Sequence, residues 1–336
     1  MKPSPLRIAL IVLALLVLIE GCGGSADEGP SSATANAARQ RALDRRLHRL
    51  QDKLRARRAA LRAERVSEAL AASRSAAAPA ADAGSPAQGS SFEALEEELG
   101  GQIGAAIGPP GAAPARTFGS LESGSAWSTS KVPISLRLLQ DVGGPSGLSS
   151  AQAEAMRRAL TLSDNEAAAA LFADLERSHG GVDGASAAVT EILREAGDST
   201  THVSTQGRDG FSTFGQTEWS LSNQELFMSR LAAGCIGSRA SNEYVLDLMG
   251  EVSSDTWGLG SAGLPARWKG GWGPGVDGAY LARQMGILYV GDREAVVTLA
   301  AIPSDGQFET AVEMATGIAR WLADQAPALA APPSGC

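Results

Sequence analysis

From about residue 91 to residue 325 the chain orders its elements as helix, two strands, a block of helices, three strands and a last helix. That order restricts the fold more than any other feature. Residues 92–99 carry a helical pattern. Two short strand patterns, 103–107 and 116–121, flank the turn residues Pro109, Pro110 and Gly111. Helical patterns follow from about Ser128 to Leu139, over 151–162, 166–176, 185–196, 219–233 and 243–252, with breaks at Gly143, Gly144, Pro145, Gly147 and Gly180-Gly181. Residues 199–217 are polar, hold Gly207, Gly210 and Gly215, and read as a long functional loop. Strand patterns at 267–272, 280–290 and 295–302 precede an amphipathic helix over 309–325. The expected fold is α+β: a five-stranded antiparallel sheet drawing on both ends of the domain, flanked by helices, with a helical lobe inserted between them.

Chemistry concentrates at Ser128-Thr129-Ser130-Lys131. Residues three apart on a helix share a face, so Ser128 and Lys131 lie one turn apart. A serine hydroxyl is a poor nucleophile until a base takes its proton, and a neutral lysine amine within reach can do so. The chain has only four lysines, Lys2, Lys53, Lys131 and Lys269; its other cationic residues are arginines, which keep their proton. Two lysines in the main domain of so arginine-rich a chain point to lysine chemistry. His48, His179 and His202 fit neither a Ser-His-Asp triad nor a metal site, so no metal or cofactor is expected.

Three segments occur in a telling order: Ser128-x-x-Lys131, Ser163-Asp164-Asn165 and Lys269-Gly270-Gly271. The domain over 91–325 resembles the class A β-lactamases and penicillin-binding serine hydrolases, whose S-x-x-K, S-D-N and K-T/S-G motifs follow that order. The resemblance implies that Ser128 is acylated, with Lys131 as its base or relay. Ser163 would pass a proton to the departing nitrogen, and Asn165 would hold the substrate's amide side chain. Lys269 would set positive charge beside Ser163 and a substrate carboxylate. Backbone N–H groups of Ser128 and Trp272, alongside Gly271, would form the oxyanion hole, and the Trp272 ring would shape a substrate pocket.

Two departures from the family pattern bear on activity. Gly270 stands where the family places a hydroxyl residue that helps bind a carboxylate, and Arg283 or Arg267 is expected to compensate. The loop glutamate of class A enzymes is also missing. Asp209 is the only carboxylate in the corresponding loop and Glu218 stands at its exit, so these two are the candidate deacylation bases. Three readings stay open: a β-lactam hydrolase, a penicillin-binding D,D-peptidase acting on cell-wall peptide, and a non-catalytic binding lipoprotein.

The remaining segments concern transport and tethering. Lys2 and Arg7 form a positive region, and an apolar run over 6–19 ends at Ile19-Glu20-Gly21-Cys22, which resembles a bacterial lipobox. The resemblance implies a signal peptide over 1–21 and a lipidated Cys22 that anchors the protein to the membrane, outside the cytoplasm. Residues 22–36 read as a tether. Residues 37–72 read as a basic helical stalk with Leu43, Leu47, Leu50, Leu54 and Leu61 at near-heptad spacing, a possible surface for self-association. Residues 73–90 are an Ala/Pro/Gly/Ser linker and 326–336 a tail. A net charge of −8 over 336 residues argues against a general nucleic-acid binder. Cys235 and Cys336 are left either to pair or to stay as free thiols.

Overall fold

The structure is a computed structural model that describes residues 91–111, 114–208, 210–332 and 335–336. Cys22, the expected stalk, the linker up to residue 90 and Asp209 lie outside the described residues. In chain order the elements are α1 (Phe92–Leu99), β1 (Gly101–Gly108), β2 (Arg116–Gly119), β3 (Ser123–Ser125), a 3-10 turn (Trp127–Ser130), α2 (Lys131–Asp141), α3 (Ser150–Thr161), α4 (Asn165–His179), α5 (Val182–Glu195), β4 (Glu218–Ser220), α6 (Leu221–Ala232), α7 (Arg239–Gly250), β5 (Ala266–Pro274), β6 (Tyr280–Val290), β7 (Arg293–Pro303) and α8 (Phe308–Leu329).

Five strands form one antiparallel sheet in the order β2-β1-β7-β6-β5. The expected α+β architecture is therefore present: two early strands complete a sheet begun by three late ones. The long central strands are buried on both faces because each face is roofed. Alternation sends Ala295, Val297, Leu299 and Ala301 of β7 into the core under α8, while Val296, with Met285 and Ile287 of β6, joins the core of the helical lobe. A trio of aromatic rings, Phe92, Phe118 and Trp321, with centroids 4.9 to 5.7 Å apart, pins α1 and β2 to α8.

Local differences from the sequence reading have local causes. Strand β2 stops at Gly119, whose φ of +85° turns the chain, and a Cβ there would lie 2.1 Å from the Ile103 carbonyl oxygen. Trp219 belongs to β4 rather than to a helix; β3 and β4 form a separate two-stranded ribbon. Helix α8 runs on to Leu329, four residues beyond the expected end, and the tail returns to the body. Cys336 is disulfide-bonded to Cys235, just after α6, with a Cα–Cα distance of 5.5 Å. The choice between pairing and free thiols is thus resolved in favour of the bond.

One buried acid in this frame carries a pH prediction. Glu225 of α6 is 2% exposed, its Oε1 has no hydrogen-bond partner, and a Cβ on Gly108 would come within 2.8 Å of that oxygen. Burial pushes its carboxyl from 4.5 up to about 8. Between those values the folded chain holds a proton that the unfolded chain has released. Its stabilising share is complete below pH 4.5 and is lost as pH rises toward 8. Thermal melts of Glu225→Gln between pH 5 and 9 are expected to show a flatter pH dependence, with a gain on the order of 2–4 kcal/mol at the alkaline end. An unchanged slope would place the titration elsewhere.

Candidate active site

The segment bearing Ser128 is a tight 3-10 turn, with the α-helix starting only at Lys131. Trp127 enters it with φ +48°, and Ser163 has φ +55°; these are the two non-glycine residues with positive φ among the described residues. Backbone strain of this kind persists only where surrounding contacts hold it. Here Thr129 donates its hydroxyl to Ala126 O at 2.5 Å and Ser130 donates to Trp127 O at 2.6 Å. Buried Gln224 of α6 donates Nε2 to Thr129 Oγ1 at 2.9 Å.

Strand β5 lies hard against this turn, and its glycines make that possible. A Cβ at Gly271 would stand 2.8 Å from Ser128 N and 2.9 Å from Ala126 O. A Cβ at Gly273 would enter the Trp127 ring, 2.4 Å from its nearest atom. The glycine in Lys269-Gly270-Gly271 that matters for this approach is therefore Gly271.

Two lysines converge on Ser163. Lys131, 2% exposed, donates Nζ to Ser163 O at 2.6 Å and to Asn165 Oδ1 at 2.8 Å. Lys269, wholly buried, donates Nζ to Ser163 Oγ at 2.9 Å and to Gly270 O at 2.8 Å, and pairs with Asp255 Oδ2 at 3.8 Å. Desolvation first, then the neighbouring Lys269 charge, lowers the Lys131 ammonium to about 7, against the pull of Asp255 and Asp164. Desolvation lowers Lys269 to about 8, with Asp255 opposing. A lysine that loses its proton near neutrality is a usable base. The Ser163 segment is fixed from the other side as well: Asp164 accepts from Ala167 N at the start of α4 and pairs with Arg158.

Ser128, Lys131, Ser163, Asn165, Lys269 and Gly271 thus belong to one connected set of contacts. Asn165 reaches Lys131 through its side-chain oxygen. Other expected residues lie elsewhere. Arg283, opposite Gly271 on β6, is fully buried and does not face a ligand. Its Nη1 donates to Gly124 O (2.6 Å) and Ser125 O (3.2 Å), and its Nη2 to Trp219 O (3.0 Å) and Gln224 Oε1 (2.9 Å). It holds the β3–β4 ribbon and Gln224 in place, so carboxylate binding by Arg283 is corrected to bracing the Ser128 turn. Arg267 pairs with Asp247 at 3.1 Å and lies over Tyr289. The Trp272 ring sits on the face of β5 opposite Lys269 and Gly271, packed at a tilt of 44° against Phe308 with centroids 4.5 Å apart, so it does not shape a pocket beside Ser128. Glu218 is an exposed residue of β4 that accepts a hydrogen bond from Ser123 Oγ at 2.5 Å. His179 contacts Asp141 and His202 contacts Arg194, both outside this set.

Sequence reasoning passed over Asp255, Gln224 and Arg208. Arg208 crosses from the 199–217 loop to the end of β5. It donates Nε to Gln216 at 2.7 Å, Nη1 to Gly275 O at 3.1 Å and Nη2 to Pro274 O, and its guanidinium lies over Trp127 and Phe211, 5.5 and 4.9 Å from the ring centroids. No spacing rule joins these residues to the motifs. The one local cue was an arginine and a phenylalanine in a glycine-rich loop.

No protein-family model matches the chain, and no curated protein matches it in sequence. Solved structures do match its fold. An ancestral class A β-lactamase (GNCA) is 21% identical, with TM-score 0.50 over 68% of this chain and 96% of its own. The structure of L2 complexed with relebactam is 21% identical, with TM-score 0.54 over 71% and 96%. A class A β-lactamase representing the last common ancestor of Gram-negative bacteria (GNCA4) gives 21%, 0.50, 69% and 97%. At these identities the likeness establishes a class A β-lactamase-like fold.

Proposed function

We propose that the chain is a serine hydrolase of the β-lactamase/D,D-peptidase type, acylated at Ser128 by β-lactams or related cell-wall amides. The observation that carries this reading is the convergence of two depressed amines on Ser163, Lys269 on its hydroxyl and Lys131 on its main-chain carbonyl. Lys131 takes the Ser128 proton as the acyl bond forms. The backbone N–H groups of Ser128 and Trp272 receive the developing oxyanion, and Ser163 returns a proton to the leaving group. Deacylation is the weak step. Lys131 is hydrogen-bonded to Ser163 and Asn165 rather than to a carboxylate, and Glu218 is engaged by Ser123. That favours a long-lived acyl-enzyme, the behaviour of a penicillin-binding protein. The proposal extends to an exported lipoprotein anchored through Cys22, supported by the Cys235–Cys336 bond, since disulfides persist in oxidising compartments.

Intact-mass spectrometry of the full chain in detergent with excess benzylpenicillin tests the reading. Wild type is expected to gain one penicilloyl mass that persists, and Ser128→Ala none. Equal labelling of both proteins would remove Ser128 as the nucleophile.

A further inference from the structure

Lys269 carries its charge in a place that opposes charge. It is wholly buried in β5, and desolvation is what lowers its ammonium to about 8. Its two hydrogen bonds, to Ser163 Oγ and Gly270 O, go to neutral oxygens. The charged groups nearby come from several elements. Lys131 of α2 shares Ser163 with it, and the two cations repel. Asp164, at the head of α4, is paired with Arg158. Arg283 of β6 is turned onto carbonyls, and Arg267, two residues earlier on β5, pairs with Asp247 of α7. Among the described residues, the carboxylate paired with Lys269 is Asp255, whose Oδ2 lies 3.8 Å from Nζ.

The surroundings of Asp255 suit it to that pairing. The residue is 7% exposed, yet its Oδ2 makes no hydrogen bond. An acid buried in this way is costly unless a cation answers it. The local packing is instead secured by its main chain: Asp255 O accepts from Trp268 Nε1 at 2.9 Å and from Gln284 Nε2 at 3.2 Å. Gly270 leaves the carboxylate room. A Cβ there would stand 3.1 Å from Asp255 Cβ and 3.3 Å from Oδ2. The hydroxyl residue of the class A pattern would therefore crowd Asp255 away from Lys269. The glycine and the carboxylate belong together.

We propose that Asp255 is a positioning residue for the Ser128 reaction, the counter-ion that Gly270 admits to Lys269 and that keeps this lysine charged beside the Ser163 hydroxyl. This deepens the preceding section and rests on its assignment of Ser128 as nucleophile. Asp255 acts through Lys269 and not on the reacting atoms. Its negative charge opposes desolvation at Lys269 and pulls in the same direction at Lys131. Without it both ammonium groups give up their protons at lower pH, and Lys269 becomes neutral where the enzyme needs it charged.

With four lysines in the sequence, the full chain in detergent, carrying lysine labelled with carbon-13 at Cε, gives at most four lysine signals by NMR. Lys131→Met and Lys269→Arg identify the two buried ones. Asp255→Asn is expected to move the Lys269 midpoint down by about one pH unit or more, with a smaller fall at Lys131. Asp255→Ala should do the same, because the main-chain bonds of residue 255 survive either change. In stopped-flow acylation by benzylpenicillin, the alkaline decline of Asp255→Asn should begin about one pH unit lower, leaving a rate at pH 8 about tenfold below wild type. A Lys269 midpoint unchanged or raised in both variants would overturn the proposal and leave Ser128 as the nucleophile. A lowered midpoint with an unmoved acylation profile would reduce Asp255 to a structural ion pair and overturn its positioning role. Equal penicilloyl labelling of Ser128→Ala and wild type would instead remove the reading beneath it, whatever the lysines do.

Discussion

Lys131→Met is expected to slow acylation of Ser128 by about 10²–10⁴-fold, the range for removing a positioned general base. The same substitution is expected to leave the protein at least as stable at pH 7. An ordinary lysine titrates at 10.5 and Lys131 at about 7, so between those values the unfolded chain holds the extra proton. Burial of this amine therefore withholds stability at neutral pH, and stability returns as pH rises toward 10.5. Loss of rate without loss of melting temperature would separate a chemical role from a structural one. The wild-type acylation rate should climb through pH 7 as Lys131 becomes neutral, then decline above 8 as Lys269 loses its charge, the two amines titrating as a pair. Stopped-flow acylation across pH 5.5–9.5 reads this directly. A flat profile in wild type would sink the assignment of Lys131 as base.

Arg283→Met should be the most damaging single change to stability. The guanidinium is wholly buried and donates to four oxygens, those of Gly124, Ser125, Trp219 and Gln224. Burial lowers this cation to about 10, still charged at neutral pH, with Glu218 acting in the opposite direction. Methionine fills much of the volume but orphans those acceptors, so a loss of about 3–5 kcal/mol is expected in urea unfolding. The change should also slow acylation, because Gln224, freed from Arg283, no longer fixes Thr129 beside Ser128. A drop under about 1 kcal/mol would mean that water or a shifted side chain takes over the bracing.

The contrast between Lys131 and Arg283 shows where sequence reasoning succeeds. Ser128, Lys131 and the Ser163–Asn165 segment announce themselves because their spacing is local and lysine chemistry is distinctive. The five-stranded sheet was likewise readable, since β6 and β7 are long apolar runs bounded by clear turns. Arg283 looks the same in sequence whether it meets a ligand or a row of carbonyls. Only its cross-strand partner Gly271 and the ribbon beside it decide, and that ribbon is built from strands too short to show alternation. Trp272 was decidable in principle: the two-residue period that aims Lys269 and Gly271 at the serine must aim Trp272 away. Asp255 had no such cue, because its pairing with Lys269 comes from the fold and from no sequence spacing.

The disulfide has a kinetic consequence. It closes residues 235–336 into one covalent loop that holds α7, β5, β6, β7 and α8, and hence Lys269, while Ser128, Lys131 and Ser163 lie outside it. Three neighbouring strands and their covering helix can form within that loop through contacts close in sequence. Strand β1 must then arrive from far up the chain to pair along β7, Gly101 against Pro303, a closure of high contact order. Oxidation in this picture prepares a template, and docking of the amino-terminal strands onto it becomes the slow event of refolding. The Ser128 turn and Ser163 come against β5 and Lys269 only when that docking is complete.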